Sequence, residues 1–313
     1  MAYSMPRNVW KFFEDLVNQP YNNHPKTPAW NREVLEQDGT HHRENILERG
    51  RANFSEGLNG LTPDDKVLLY CYYYMQMHVV SGLHVFSEGN SFFREYLLCE
   101  GKNVVFIDFG CGPLTSGIAF AGYYRSIQDT SQHTKPLINL KFHYLGIDNC
   151  EPMLRKAEEF SQYRGLFFVK GCKFDFMQSF QEHKDILEWI DESVSNTQIN
   201  EALIILNFSY FFASESLVVE NLVQLIRKLL EKHGSYKIYL VFQNPTYPDS
   251  NKKWYQFKRQ LPELTSLLDR ENELTYYDTT SRRGVVAPIR LKYEILTNSS
   301  SESIVIDDIA TIL

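Results

Sequence analysis

Cysteine is scarce in this sequence. None of the five (Cys71, Cys99, Cys111, Cys150 and Cys172) belongs to a C-x-x-C pair. An odd, scattered set of this kind excludes a disulfide framework and gives no metal site, so the thiols are expected reduced and partly buried. Long apolar runs are missing as well: no stretch of about 18 apolar residues occurs, and the start lacks a charged segment leading into an apolar one. No membrane span is therefore expected, and the chain reads as cytoplasmic. Nor is there an excess of positive charge. With 32 Lys and Arg against 39 Asp and Glu, a formal net charge of −7 argues against bulk nucleic-acid binding through phosphates. Internal repeats and low-complexity segments are absent. At 313 residues the chain is long enough to bury a substantial core without staples.

Chemistry concentrates in residues 104–117, VVFIDFGCGPLTSG. Val104, Val105, Phe106 and Ile107 form the short apolar run of a strand buried on both faces of a parallel sheet. Gly110 and Gly112 then permit a tight turn with close backbone approach to a ligand, and 115–124 continue as a helix whose first turn offers unpaired N–H groups. Asp108 sets the charge preference of that turn. A carboxylate two residues ahead of the first glycine repels a pyrophosphate and attracts a cation. A second strand, FHYLGID at 142–148, ends in Asp148, placed to hold ribose hydroxyls. After it Met153, Leu154, Ala157 and Phe160 have helical spacing and form a face that packs on a sheet.

Asp-x-Gly-Cys-Gly-Pro, followed after the second strand by an acid and then Met-Leu-x-x-Ala, resembles the motifs of class I S-adenosylmethionine-dependent methyltransferases. The resemblance covers roughly residues 62–298. It implies an α/β fold with a seven-stranded, mostly parallel sheet in the order 3-2-1-4-5-7-6, helices on both faces, and S-adenosyl-L-methionine as cofactor. By that resemblance Gly110, Cys111 and Gly112 pass under the cofactor, Asp108 lies near its methionine amino end, and Asp148, Asn149 and Met153 complete the contacts beyond the second strand.

The remaining chain is read around this unit. Residues 1–61 are polar and broken by prolines and glycines, with short helices expected at 9–17 and 43–51, and form a helical extension or lid. Thr62-Pro63-Asp64-Asp65 is a helix start, and the helix it opens is apolar on nearly all sides, with tyrosine tips that need partners. Tyr74 and His78 on it are candidates for the acceptor pocket, although a core role for each is the simpler reading. A second helix is expected at 87–98, and 125–139 reads as a polar surface loop. The third strand is expected at 166–169. Relatives place an Asp after the glycine that follows; here stands Cys172, so Asp175 and Phe176 are the candidates to meet the adenine amino group and ring. Residues 177–194 read as a helix.

The fourth strand, 201–209, brings Asn207 and Tyr210 to its carboxyl end, where the acceptor would meet the methyl group. Asn-Phe-Ser-Tyr is loosely similar to the Asn-Pro-Pro-Tyr motif of amino-methyltransferases but lacks both prolines. Asn207 and Tyr210 are the catalytic candidates, and Asn207 is also a cofactor candidate; a turn that merely leaves the sheet is the competing reading. A helix at 215–233 carries Val218, Leu222, Leu225, Ile226 and Leu229 on one stripe. The fifth strand, 237–242, delivers Asn244 as a further acceptor-site candidate. Residues 248–270 read as a helical segment interrupted at Pro262, with a basic cluster at Lys252, Lys253, Lys258 and Arg259. Two antiparallel strands at 274–280 and 287–296 close the sheet, and 299–313 form a tail. The extension and the tail are the surfaces where a second copy would dock.

The function expected is methyl transfer to a small molecule or a protein side chain, with no metal and no membrane partner. A non-catalytic S-adenosylmethionine-binding module, hinted at by Leu114 and Cys172 at variant motif positions, is the first alternative. An RNA methyltransferase using the basic residues near Lys252 and Arg282 is the second. A dinucleotide oxidoreductase is disfavoured by Asp108 and by Thr115 at the third glycine position.

Overall fold

The structure is a computed structural model and describes residues 3–98, 102–130, 141–166, 171–195, 197–278 and 286–298. The apolar run that opens the glycine motif is strand β1 (Asn103–Phe109), buried along its whole length. Around it lie β2 (Lys141–Ile147), β3 (Cys172–Met177), β4 (Ala202–Ser209), β5 (Lys237–Pro245), β6 (Thr265–Tyr277) and β7 (Val286–Thr297). They form one seven-stranded sheet in the order β3-β2-β1-β4-β5-β7-β6. The first five strands run parallel, and β7 is antiparallel to both β5 and β6.

Alternation along the strands divides the core into two layers. Val104, Phe106, Tyr144, Leu203, Ile205, Tyr239 and Val241 point to one side. Val105, Ile107, Leu145, Ile204, Leu206, Ile238, Leu240 and Phe242 point to the other. The first side is covered by the amino-terminal helices α1 (Arg7–Phe13), α2 (Gln19–Asn22), α3 (Pro28–Trp30) and α4 (Gly39–His41), then α5 (Pro63–Tyr70), α6 (Gln76–Glu88), α7 (Asn90–Leu98), α8 (Thr115–Thr130) and α9 (Glu151–Ser161). The second is covered by α10 (His183–Val194), α11 (Val219–His233) and α12 (Pro248–Arg259).

Local signals explain several of these boundaries. Thr62 and Asp65 form a reciprocal capping box at the start of α5, with Pro63 at its first position, satisfying two of the helix's orphan N–H groups. On α9, Met153, Leu154, Ala157 and Phe160 are buried together, the face their spacing predicts. The extension is held by the same layer. A Cβ at Gly122 would stand 2.5 Å from Val9 Cγ2, Phe12 packs edge-on to Phe160 at 4.9 Å, and Tyr163 donates to Asp15 at 2.8 Å. Its helix at Pro28–Trp30, capped by Thr27, is absent from the sequence reading because three residues carry no periodicity.

Five expectations are corrected. Helix α8 continues to Thr130 where 125–139 reads as a loop, because Ile127 still finds a buried place; residues 131–140 lie outside the described set. The third strand is Cys172–Met177, not 166–169: Leu166 sits in a turn, and 167–169 lie outside the described residues. Met177 accordingly ends a strand, and α10 starts only at His183. Strand β6 begins at Thr265 rather than 274, since α12 stops at Arg259 and the charged run that follows is an edge strand, where charge is tolerated. Val218 is 52% exposed and precedes α11, while Val219 takes the buried position. Among the described residues no helix is long and apolar enough to cross a membrane, and no cluster of His, Cys, Asp and Glu is arranged to hold a metal.

Candidate functional site

The glycine turn leaves β1 and is hung from its neighbour. Gly110 and Cys111 both donate their N–H to Ile147 O, at 2.8 and 3.1 Å. Asp148 ties the next segment: its carboxylate accepts from Gly112 N at 3.0 Å and from Cys150 N at 2.9 Å. Gly110 and Gly112 have φ of 69° and 51°, the left-handed region that glycine adopts without a Cβ clash. Nothing lies within 4 Å of where a Gly112 Cβ would stand, whereas one at Gly110 would meet Phe211 Cδ2 at 2.9 Å. The turn is thus open above Gly112 and floored beneath Gly110. Helix α8 begins directly after it, and the buried Thr115 Oγ1 at its first position has no hydrogen-bond partner.

Asp108 lies under this turn and is fully buried. Tyr144 of β2 donates to its Oδ2 and Asn207 of β4 to its Oδ1, each at 2.7 Å. Ser209 in turn donates to Asn207 Oδ1 at 2.9 Å. Burial pushes the Asp108 carboxyl up to about 7, against the two donors that favour its charged form. Asn207 therefore has each end of its amide engaged within the protein and is itself buried, so the structure ties it to Asp108 and Ser209. Tyr144 and Ser209 are partners the sequence reading misses; period-2 alternation, which puts both on the Asp108 face, is the signal that could have found them.

The acceptor side is built where β4 ends beneath α6. Tyr210 takes φ of 61°, strained for an aromatic residue. Its N–H donates to Gln243 O at 2.8 Å, its hydroxyl donates to Ser81 Oγ at 2.9 Å, and its ring centroid lies 4.0 Å from that of His78. His78 Nδ1 shares a hydrogen bond of 3.0 Å with the Tyr70 hydroxyl. Tyr70, Tyr74 and His78 continue as a stack with centroid spacings of 5.9 and 6.4 Å. Burial holds the His78 imidazole down at about 4, so it is neutral at pH 7, and lifts the Tyr210 phenol to about 12. Tyr74 donates to Arg43 O at 3.4 Å.

Tyr210, His78, Tyr74, Asp108, Gly110, Cys111, Gly112 and Asp148 are thus brought to one end of the sheet on one face. Cys111 is buried, Asn149 is exposed after Asp148, and Met153 packs in the core from α9. Two candidates turn away. Asn244 faces α12 and donates to Ser250 O at 2.8 Å, because the alternation of β5 gives the α6 side to Gln243. Asp175 faces α10, where it accepts from Trp189 Nε1 at 2.7 Å and pairs with Lys173 at 3.2 Å. Phe176, one residue on, takes the opposite face: a Cβ at Gly146 would meet it at 2.8 Å and Cys111 Sγ at 3.0 Å. The end of β3 itself is Met177, whose carbonyl accepts from Asp148 N at 3.1 Å.

The sequence matches no family model and no curated protein. Solved structures share the arrangement only loosely. An S-adenosylmethionine-dependent methyltransferase from Methanosarcina mazei is 14% identical, with 66% of this chain and 96% of that one covered, at a TM-score of 0.35. The O-methyltransferase TomG from Streptomyces achromogenes, involved in tomaymycin synthesis and in complex with S-adenosylmethionine, is 12% identical over 71% of this chain and 90% of its own, at a TM-score of 0.33. Likenesses this loose carry no function across. The fold rests on the strand order β3-β2-β1-β4-β5-β7-β6 with the glycine turn at the end of β1, which is the arrangement of class I methyltransferases.

Proposed function

We propose that this chain is an S-adenosylmethionine-dependent methyltransferase acting on a small molecule or a protein side chain. The observation that carries the reading is the glycine turn open above Gly112, with the buried acid Asp108 beneath it and Asp148 beside it. The residues present fit the cofactor's parts. Asp108 lies beneath the turn, on the side where the ammonium would stand, with both oxygens already accepting from Tyr144 and Asn207, and the unpaired Thr115 hydroxyl at the start of α8 suits a carboxylate. Asp148 retains lone pairs for ribose hydroxyls. Phe176, on the face of Gly146 and Cys111, and Met177, joined to Asp148 through its carbonyl, are the adenine neighbours in this reading, with Asp175 turned to the other face.

Bound there, the cofactor would supply a methyl group already activated on a sulfonium. The protein's own work is then alignment and exclusion of water. Tyr210, His78 and Ser81 lie together beyond the fourth strand, where burial makes the neutral His78 imidazole a weak base, suited to hydrogen bonding an acceptor rather than to removing its proton. Residues of the extension approach the same edge, with Ser55 Oγ 3.7 Å from Cys150 Sγ, which supports a lid over the adenosine side. The described cysteines are free thiols, consistent with a reducing, cytoplasmic setting.

Isothermal calorimetry with S-adenosylhomocysteine, S-adenosylmethionine and NAD tests the reading. One site per chain for the first two and no heat with NAD is expected. Absence of S-adenosylhomocysteine binding at millimolar concentration overturns it.

A further inference from the structure

Gln243 lies in β5, in register with Ser209 of β4 and Tyr293 of β7. Its side chain takes the same face as Tyr239 and Val241, toward α6. It is 1% exposed, and its Oε1 has no hydrogen-bond partner. A buried amide oxygen left without a donor is uncommon in folded proteins and calls for an explanation. The hydroxyl protons around it are committed elsewhere: Tyr210 donates to Ser81, Ser81 to Met77 O at 2.9 Å, and Ser209 to Asn207. The other end of the amide reaches α6 at its one glycine in this stretch, since a Gly82 Cβ would stand 3.7 Å from Gln243 Nε2. The backbone of the same residue anchors Tyr210, whose N–H it accepts. Gln243 is thus an unpaired acceptor beside the aromatic wall of Tyr210 and His78.

We propose that Gln243 is a specificity-determining residue of the acceptor site, taking a hydrogen bond from the N–H or O–H of a small uncharged aromatic acceptor. The inference rests on the methyl-transfer reading above. Aromatic rings of Tyr210 and His78 pack at this point, His78 is neutral there, and both oxygens of Asp108, on the same face of the sheet, already accept from the protein. A cationic acceptor would find no free counter-charge among these groups, and a purely apolar one would leave the amide unpaired. A site built to accept from a donor rejects the analogue that lacks it far more strongly than an apolar pocket rejects one extra group.

The test uses phenol and toluene as probes, matched in shape but differing in the donor. Their dissociation constants are measured by ligand-observed NMR on the full chain saturated with S-adenosylhomocysteine, whose own affinity is recorded separately by calorimetry. Phenol is expected to bind at least ~10-fold tighter than toluene, the low end of discrimination by an unpaired buried polar group. In Gln243→Met the difference should collapse while the affinity for S-adenosylhomocysteine holds. Equal binding of the two probes, no binding of phenol, or discrimination that survives in Q243M overturns the proposal. The wild-type comparison decides it even where Q243M does not fold. Failure of S-adenosylhomocysteine to bind at all instead defeats the cofactor reading.

Discussion

Asp108 and Asn207 face each other across adjacent parallel strands, register partners joined by a 2.7 Å hydrogen bond from the Asn207 amide to the Asp108 carboxylate. With Tyr144 on the far oxygen, this makes a three-strand polar bridge in an otherwise apolar layer. A buried carboxyl with neutral donors and no cation is a poised element: hydrogen bonds favour its ionisation and burial opposes it.

Burial wins in Asp108, whose carboxyl is raised to about 7 against an unfolded value of about 3.9. The folded state therefore binds the proton more tightly than the unfolded chain does. Stability from this group is full below about pH 4 and falls as pH rises through about 7, by roughly 1.4 kcal/mol per unit in between. In Asp108→Asn the amide oxygen can accept from Asn207 and the amide nitrogen can donate to Tyr144. Urea unfolding at pH 5, 6, 7 and 8 should show a flatter profile for D108N and a higher stability at pH 8. Parallel profiles for the two proteins count against a protonated Asp108.

Asn207→Ala removes one of the two donors to Asp108 and strands the Ser209 hydroxyl. A loss of about 1–3 kcal/mol in unfolding free energy is expected, the cost of leaving buried polar groups unpaired. A residue that touched only an acceptor would leave stability unchanged, so denaturant titration separates the two roles. Wild-type stability in N207A would return this residue to the acceptor site.

Asp148→Ala deletes a carboxylate that now binds Gly112 and Cys150 N–H groups and is the candidate for ribose hydroxyls. Affinity for S-adenosylhomocysteine should fall by about 1.5–3 kcal/mol, the range for hydrogen bonds to a charged group. Calorimetry reads this directly, and an unchanged dissociation constant moves the ribose contact elsewhere.

Lys66 is 4% exposed and donates through Nζ to Asn53 O at 2.6 Å and Glu56 O at 3.2 Å. Among the described residues no carboxylate pairs with it, so the ammonium pins a stretch of the extension by its backbone. Lys66→Met should raise amide hydrogen exchange across residues 51–57 while protection in β1 and β4 is retained. Equal exchange in both proteins would show that the segment is held by Phe54 and its ring contacts alone.

Local chemistry determined much of this protein from the sequence by itself. The run 104–107, the two glycines after it, the capping box at Thr62 and the apolar stripe on 151–161 each declare themselves within a few residues, because backbone conformation and helical spacing are short-range properties. The order of strands was implied by the resemblance to class I methyltransferases that the two motifs and the antiparallel ending carry. Edge strands were less legible. β3 and the first half of β6 mix charge with apolar residues, as a strand with one open edge can, and so read as loop or helix. The site depended most on what lies far away in the chain. Asp108 and Asn207 are 99 positions apart, and whether Asn244 or Gln243 faces α6 turns on a single residue of pleat, which reverses every side chain. Only packing in three dimensions decided that Asn207 holds an acid, that Asp175 belongs to Trp189, and that Gln243 is left with an oxygen to fill.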